Sequence, residues 1–394
     1  MRKLFIEDLE LAGKRVLVRL DYNVPGDDEG NVTNDARITA SLPTLHYILA
    51  EGASAVLCSH RSRPKGDEPR YSLRPVAARL EELMGLRVRM ARRGAVVSDE
   101  ARNLAASLEP GELMMLENLR YDPREQQGRD ELARELASLA DLFVNDAFPV
   151  CHRKDTSVVG VPKFLTSAYG YQLREEVENL SLLLGDVQRP YVGIMGGAKI
   201  STKLGVVKSF LGRVDRLLVG GGIAYTFLAA LGREVGGSIH EPDYLEYAKD
   251  LLLRHADKIV LPTDNYVVER IDPACEPRLV EEIPADRMAV DIGDATRRLF
   301  AEEIARARTV FWNGPVGYFE DERFAEGTRM VAREVAKLKD AGAFTVVGGG
   351  DSVAAVEDAG LDSESFSFVS TGGGASLVFV QGKELPGIEA LTDR

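Results

Sequence analysis

The chain has 394 residues, of which 45% are hydrophobic and 28% are charged, and its formal net charge is −13 at pH 7. This composition is typical of a globular protein long enough for two domains, and the acidic balance argues against general binding to nucleic acid or to anionic membranes. Three widely spaced cysteines exclude a disulfide framework and favour a reducing cytoplasm. The first ten residues lack a signal-peptide pattern, and no apolar run reaches the roughly 18 residues typical of a membrane span.

Short apolar runs alternate with amphipathic helical patterns along the whole chain. Strands are predicted in the first half at 15–20, 54–59, 112–117 and 141–146, and in the second half at 191–196, 216–221, 258–262, 309–314 and 344–350. Near-continuous apolar strands that alternate with helices indicate parallel sheets covered on both faces. We therefore predict an α/β fold with two doubly wound, Rossmann-like parallel-sheet domains joined by a helical hinge.

The domain boundaries are predicted from a long helical pattern at 169–190 that no strand follows until Tyr191. This pattern is the candidate connector, because strands and helices alternate more closely on either side of it. We predict an N-terminal domain at 1–170, an inter-domain helix at 171–190, a C-terminal domain at 191–375 and a tail at 376–394.

Arginines follow the predicted strands of the first half. Ligands of open α/β sheets bind beyond the carboxyl ends of the strands, so the residues after each strand are informative. The arginines at strand ends or helix starts are Arg37, Arg63, Arg120 and Arg153. Each alone is most simply a surface salt bridge, but four at corresponding positions indicate a small, multiply charged anion. Asp21 and Asn23 could hydrogen-bond a hydroxyl group of the same ligand.

Histidine and cysteine residues lie in the same loops. His60 and His152 lack the spacing of a metal site. Cys151 beside His152 could be a thiol nucleophile, but adjacent residues of an extended segment point to opposite sides, so we predict a buried structural cysteine.

Glycines dominate the strand ends of the second half, at 196–197, 220–222, 314–317, 348–350 and 372–374. Glycine at a helix start lets backbone N–H groups approach phosphate oxygens. Lys199 and Lys203 are spaced i,i+4 at a predicted helix start, where their charges oppose the helix dipole and each other. A bound polyanion would offset both effects. The alternative is a pair of solvated surface lysines, and the neighbouring glycine loops favour the phosphate site.

Two carboxylates complete this half. Asp351 is either a helix N-cap or a ligand that holds Mg²⁺ beside bound phosphates, and Glu320 could accept hydrogen bonds from ribose hydroxyls. Trp312 is expected in the core. No acidic base that would deprotonate a hydroxyl is evident, and a carboxylate nucleophile would need none because it is already ionised. Catalysis would then consist of positioning and charge neutralisation.

The motifs "VRLDYNVP", "SHRSRP", "LENLRY", "NDAF", "GGAKISTK", "WNGPVGYFE", "GGGDS" and "STGGGAS" follow one another along the chain. In this combination and order the sequence resembles the phosphoglycerate kinase family. The resemblance implies reversible transfer of the 1-phosphate of 1,3-bisphosphoglycerate to Mg·ADP, which gives 3-phosphoglycerate and ATP. It also implies a hinge-bending enzyme with an N-terminal 3-phosphoglycerate domain, a C-terminal nucleotide domain and a tail that returns to the N-terminal domain.

The resemblance also assigns site residues. The 3-phosphoglycerate site falls on Asp21, Asn23, Arg37, His60, Arg63, Arg120 and Arg153. The nucleotide site falls on Gly196, Lys199, Lys203, Gly221, Asn313, Pro315, Gly317, Glu320, Gly350, Asp351 and Ser352. The catalytic set is Arg37 and Lys203, which neutralise the transferring phosphate, with the backbone amides near Gly350 and Gly373. Asp351 is the implied Mg²⁺ ligand.

The chain departs from the family pattern at Arg61, Ser62, Pro149, Thr202 and Val316. Two other functional classes therefore stay open. One is a nucleotide-binding paralogue without turnover, which the departures favour. The other is a dinucleotide-dependent oxidoreductase, which the missing G-x-G-x-x-G after an early strand disfavours. We expect a cytoplasmic monomer with no nucleic-acid or membrane partner.

Overall fold

The computed structural model describes residues 3–92 and 94–394. These residues form two compact units. The first unit runs to Glu178 and includes Glu384–Arg394, and the second unit is Asn179–Lys383.

The strands and helices are numbered in chain order. The strands are β1 (Arg15–Leu20), β2 (Ser54–Cys58), β3 (Val88–Arg89), β4 (Leu113–Met115), β5 (Leu142–Asp146), β6 (Ser167–Tyr169), β7 (Tyr191–Met195), β8 (Arg216–Val219), β9 (Ile259–Val260), β10 (Asn265–Val268), β11 (Arg278–Val280), β12 (Met288–Ile292), β13 (Thr309–Asn313), β14 (Phe344–Gly348) and β15 (Phe368–Ser370). The α-helices are α1 (Ala36–Ala50), α2 (Arg74–Met84), α3 (Asp99–Ala106), α4 (Asp130–Ala137), α5 (Tyr171–Leu182), α6 (Leu204–Leu211), α7 (Gly221–Ala230), α8 (Leu245–His255), α9 (Asp294–Ala305), α10 (Glu326–Asp340), α11 (Gly350–Asp358), α12 (Gly374–Phe379) and α13 (Pro386–Glu389).

The first unit contains a parallel sheet in the order β3-β4-β2-β1-β5-β6. Val16, Val18 and Leu20 alternate along β1 and belong to one buried cluster with Ile38 of α1 and Leu80 of α2. Because side chains two residues apart in a strand share a face, this cluster packs one side of the sheet against its helices.

The second unit contains a parallel sheet in the order β15-β14-β13-β7-β8-β9. Val310 and Trp312 of β13 are buried together with Phe300 of α9 and Val335 of α10. The two parallel sheets, each accompanied by helices, confirm the α/β prediction.

A three-stranded antiparallel sheet in the order β11-β10-β12 was not predicted from the sequence. Its strand β11 is largely exposed and therefore lacks the apolar run on which the strand predictions depended. The predicted connector at 171–190 is helical only at Tyr171–Leu182, and the division between the two units falls within this helix, α5. The assignment of the predicted domain boundaries to functional domains stays a prediction.

The C-terminal segment Glu384–Arg394 is held by residues of the first unit. The backbone N–H of Gly387 donates to the carbonyl of Cys151 at 2.9 Å, and the N–H of Leu4 donates to the carbonyl of Thr392 at 3.0 Å. The Lys3 ammonium also lies 2.8 Å from the Asp393 carboxylate. Among the residues that the structure describes, no helix is both long and apolar enough to cross a bilayer.

Candidate active site

The predicted anion-binding residues of the first unit collect at one edge of its sheet. Strands β4, β2, β1 and β5 are consecutive neighbours and parallel, so their carboxyl ends lie side by side. The residues that follow these ends are Asp21 and Asn23 after β1, His60 and Arg63 after β2, Arg120 after β4, and Arg153 after β5. Arg37 lies in the first turn of α1 and forms an ion pair with Asp21.

Positive charge is concentrated at this arginine-rich edge. Burial and the nearby charge of Arg153, with further contributions from Arg19 and Arg63, lower the pKa of Arg120 to about 10. The Arg120 guanidinium donates to the carbonyl of Ser62 at 2.5 Å, while its buried Nε has no hydrogen-bond partner in the described structure. Guanidinium groups held together in this way are stabilised by an anion that they can share.

The loops after β1 and β2 are tied to each other. The side-chain oxygen of Asn23 accepts a hydrogen bond from the backbone N–H of Ser62 at 2.7 Å. Ser62 has a φ of 56°, in the left-handed region that favours glycine, at a position where the family pattern has glycine. The backbone at this position therefore has a conformation that glycine adopts readily, although the residue is serine.

Arg61 has a structural role that was not predicted from the sequence. Its side chain is buried, and its Nη1 donates to the carbonyls of Gly30 at 2.7 Å and of Ser72 at 3.3 Å. The nearby Asn118 side-chain oxygen accepts from the backbone N–H groups of Arg61 and Arg120 at 3.2 and 3.1 Å. The sign of this role in the sequence is that arginine stands where the family pattern has an apolar residue. In the structure, the Arg61 side chain donates hydrogen bonds to carbonyls of the neighbouring loops.

In the second unit, Lys203 points back into the loops. Its ammonium donates to the carbonyls of Gly196 at 2.7 Å and of Asn313 at 3.2 Å. Burial lowers its pKa to about 8, against the opposing effect of the Asp351 charge. Lys199 is exposed.

The two lysines do not share a helix, so the expectation of an i,i+4 pair at one helix start is wrong. A 3₁₀ turn at Ile200–Thr202 separates them, and α6 begins only after Lys203. The side chain of Thr202 donates to the carbonyl of Lys199 at 2.8 Å within this turn. The 3₁₀ turn therefore occupies the place of the first turn of the helix that the spacing suggested.

The glycine loops of the second unit pack backbone against backbone. The N–H of Gly197 donates to the carbonyl of Pro315 at 2.8 Å, and the N–H of Gly221 donates to that of Val316 at 2.9 Å. Gly221 has a φ of 61°, and a Cβ there would lie 2.9 Å from the carbonyl oxygen of Gly197. A Cβ on Gly196 would overlap the carbonyl of Pro315. These approaches require glycine.

Asp351 is the second residue of α11 and is exposed, and the N-cap position belongs to Gly349, whose φ is 98°. The N-cap alternative for Asp351 is therefore wrong. Ser352 instead connects two loops, because its Oγ accepts from the N–H of Gly314 at 2.6 Å and donates to the carbonyl of Gly348 at 2.9 Å.

The Asn313 amide nitrogen also donates to Gly348, at 2.5 Å, while its buried Oδ1 has no partner in the described structure. Gly373, with a φ of 53°, is the N-cap residue of α12. The predicted positions Gly350 and Gly373 thus lie at two helix starts, after β14 and β15.

A cavity of about 270 Å³ opens beside these loops. Its apolar wall includes Tyr225, Ile239 and Val290, and its other lining residues include Glu320 and Asp351. Gly197, Gly221, Pro315 and Gly317 line it as well. An apolar slot lined by glycine loops at helix starts suits a ligand that joins a flat ring to anionic groups.

Two residues near the strand ends, Cys151 and Trp312, are part of the buried core. Cys151 is fully buried, and burial raises the pKa of its thiol to about 12, which confirms the prediction of a structural cysteine. Trp312 is fully buried and donates to the carbonyl of Gly314 at 2.9 Å, which confirms its place in the core.

The described residues contain no cluster of three or more His, Cys, Asp or Glu side chains that could hold a metal ion.

Comparisons with known proteins agree on one family. The family model for phosphoglycerate kinase matches residues 6–383. The chain is 51% identical over 390 residues to the phosphoglycerate kinase of Thermus thermophilus, covering 98% of both chains, and 47% identical over 399 residues to that of Chloroflexus aurantiacus, covering 100% of both. The solved phosphoglycerate kinase of Coxiella burnetii has a TM-score of 0.88 and 36% identity over 98% of each chain. The chain belongs to the phosphoglycerate kinase family.

Proposed function

We propose that the arginine-rich edge binds 3-phosphoglycerate or 1,3-bisphosphoglycerate and that the glycine-rich edge binds ADP or ATP. The reaction is the family's reversible phosphoryl transfer between 1,3-bisphosphoglycerate with ADP and 3-phosphoglycerate with ATP. The observation that carries the proposal is Lys203, whose ammonium is directed by carbonyls of two loops toward the strand ends where backbone amides suit phosphate oxygens.

The acceptor in this reaction is a carboxylate, so a general base is unnecessary. The residues then act by positioning and by neutralising charge on the transferring phosphoryl group. We assign that neutralisation to Arg37 and Lys203, supplemented by the backbone amides near Gly350 and Gly373. The Arg37 pairing with Asp21 supports this role, because the ion pair keeps the guanidinium beside the loop after β1.

On the nucleotide side, we assign the apolar cavity to the base and Glu320 to the ribose hydroxyls. The lining of the cavity by Gly221, Pro315 and Gly317 supports this assignment. The polar partners Lys199, Asn313 and Ser352 are assigned to the phosphate end, and Ser352 is already a link between two phosphate loops.

Magnesium fits the donor set at Asp351. Mg²⁺ in kinases is typically held by one or two carboxylates together with substrate phosphates, and Asp351 is an exposed carboxylate that makes no capping bond at a glycine-rich helix start. When bound, Mg²⁺ would neutralise phosphate charge.

Substitution of Asp351 tests the metal assignment. Asp351→Asn should weaken binding of Mg·ATP much more than binding of metal-free ATP, because only the first uses the carboxylate. Titration calorimetry with and without Mg²⁺ measures both affinities, and Glu357→Gln, an exposed change on the same helix, is the matched control. An equal loss in the two titrations would remove Asp351 from the metal site.

A coupled assay with ATP, Mg²⁺ and 3-phosphoglycerate tests the whole function. Turnover above that of the Lys203→Ala variant is the expected result. Binding of both ligands without turnover would instead identify a paralogue that has kept the sites but lost the reaction.

We also infer a monomer that acts in the cytoplasm without nucleic-acid or membrane partners. The net charge of −13 supports this inference because it opposes binding to polyanions. Light scattering coupled to size-exclusion chromatography would test the monomer, and a mass near twice the 43.1 kDa of the chain would contradict it.

A further inference from the structure

A buried arginine lies directly behind the arginine-rich edge. Arg19, the fifth residue of β1, is 0% exposed, and its Nη2 lies 3.1 Å from Nδ1 of His60. His60 is itself only 3% exposed. The contact therefore joins a buried cation to one of the predicted ligand-binding residues.

The chemistry of this contact decides where the imidazole proton is. A guanidinium nitrogen can only donate a hydrogen bond, so Nδ1 of His60 must accept. An accepting Nδ1 leaves the ring neutral, with its proton on Nε2. A second proton on Nδ1 would oppose two N–H groups across 3.1 Å.

Arg19 is fixed from its other side. Its Nε donates to Ser157 Oγ at 2.9 Å, and its Nη1 donates to the carbonyl of Leu20. Ser157 in turn donates its hydroxyl to Glu125 at 2.6 Å and its backbone N–H to the same carboxylate at 2.9 Å. Glu125 is 1% exposed and supplies the counter-charge. Each hydrogen bond in the chain from Glu125 through Ser157 and Arg19 to His60 therefore has a defined donor and a defined acceptor.

We propose that Arg19 is a positioning residue that holds His60 as the neutral tautomer with its proton on Nε2. His60 then offers its ligand a hydrogen-bond donor that does not titrate in the range where free imidazole does. The identity of that ligand rests on the proposed function, but the tautomer of His60 in the ligand-free enzyme does not.

The charges around His60 act in the same direction. Burial, and then the charges of Arg19, Arg120, Arg153 and Arg37, lower the pKa of His60 well below its usual value. These arginines come from β1, from α1 and from the loops after β4 and β5, so cations face the ring from several elements. The positive surroundings oppose protonation, and the Arg19 contact selects which nitrogen keeps the proton.

Nitrogen-15 NMR of the histidine rings in the ligand-free enzyme is the direct test. The chain has five histidines, so loss of one ring signal in His60→Gln assigns His60. We expect unprotonated Nδ1 and protonated Nε2 throughout the range from about pH 5.5 to 8, in which ordinary histidines titrate. A ring that becomes doubly protonated in that range, or one protonated on Nδ1, would overturn the proposal.

Arg19→Lys tests the positioning role, with Arg15→Lys at the other end of the same strand as the matched control. The lysine keeps the charge but loses the planar set of donors, so His60 should show mixed tautomers and begin to titrate. Binding of 3-phosphoglycerate should weaken roughly tenfold, as for loss of one hydrogen bond to a charged group. Nucleotide affinity should not change. A single Nε2–H tautomer in Arg19→Lys would refute the role of Arg19.

Ser157→Ala provides a second test if Arg19→Lys does not fold. It removes the acceptor of Arg19 Nε without touching His60, so the His60 spectrum should again become mixed. An unchanged spectrum would contradict the proposal. Normal His60 spectra combined with no 3-phosphoglycerate binding to the wild-type enzyme would instead refute the proposed function and leave the tautomer assignment intact.

Discussion

The two sheet edges offer different groups to the anionic ligands that we propose for them. At the arginine-rich edge, side chains supply the charge, and buried residues such as Arg61 and Asn118 hold the loops that carry them. At the glycine-rich edge, the backbones of neighbouring loops approach each other closely, and Lys203 is a partly buried cation among the predicted nucleotide residues. The first edge depends on charge and the second on close backbone approach.

This difference predicts different sensitivities to substitution. A side-chain site loses affinity in proportion to the charges removed, and its backbone remains intact. A backbone site tolerates changes in side chains nearby but not an added Cβ where two loops touch, as at Gly196 and Gly221. The following substitutions separate the two behaviours.

The largest effect is expected for Lys203→Ala. Its charge matters most when charge shifts on the transferring phosphate, so kcat should fall by about 10²–10³-fold with a much smaller change in KM for either substrate. Steady-state kinetics measure both parameters, and Lys208→Ala on the exposed face of α6 is the control. A kcat near that of the control would exclude Lys203 from catalysis.

Arg63→Ala should mainly weaken binding of 3-phosphoglycerate. Arg63 is exposed, and loss of one charged hydrogen bond corresponds to roughly 10- to 100-fold in affinity. Nucleotide affinity should stay at the wild-type value, as calorimetry would show. Arg70→Ala removes an arginine that pairs with Glu68 and should change neither affinity. Equal losses for the two ligands would contradict the division between the edges.

Gly221→Ala should affect the glycine-rich edge alone. Both Gly221 and Gly232 have positive φ, so alanine strains the backbone at either position by about 1 kcal/mol. Only at Gly221 would the new Cβ meet another loop, because Gly232 has open space around it. Gly221→Ala should therefore lose several-fold more ADP affinity than Gly232→Ala. Similar ADP affinities in the two variants would show that loop contact is irrelevant.

The smallest effect is a proton taken up when nucleotide binds. The pKa of Lys203 is about 8 in the absence of ligand, and phosphate charge beside the ammonium raises it. Between about pH 8 and 10, ADP binding should thus take up a fraction of a proton, and affinity should fall as pH rises. Calorimetry in two buffers of different ionisation enthalpy measures the uptake. Lys203→Arg should abolish it, and proton release on binding would contradict the assignment.

The sequence predicted nine of the twelve strands of the two parallel sheets, because those strands are apolar runs, and it missed the short strands β3, β6 and β15. It also placed the loops correctly, since parallel strands bring their carboxyl ends to one edge. The sequence did not reveal which buried residues hold those loops in place through hydrogen bonds. Arg19 is a charged residue in a strand, and its partner Ser157 is 138 positions away. Lys203 donates to Asn313 across 110 positions. Contacts between residues so far apart in the chain leave no local pattern in the sequence.

The helix start near Lys199 and Lys203 shows a second reason why the details of the site could not be predicted from the sequence. The spacing of Lys199 and Lys203 is compatible with a helix, but a 3₁₀ turn with its own side-chain hydrogen bond from Thr202 takes that place. Val316 shows a third reason, which is that the effect of a changed residue depends on its partners in the fold. The Val316 N–H donates to the Thr328 hydroxyl at 3.2 Å, and the proline that is common in the family at this position could not make that hydrogen bond. Whether a departure from a family pattern is harmless depends on the partner that the fold provides.

The division of the two substrates between the edges is tested most directly by mapping each ligand on the backbone amides by NMR. We expect 3-phosphoglycerate alone to shift amides near Asn23, Ser62 and Arg120, and ADP alone to shift those near Gly197, Gly221 and Gly350. Largely separate sets of shifted amides would support the division. Shifts from both ligands at the same edge would contradict it.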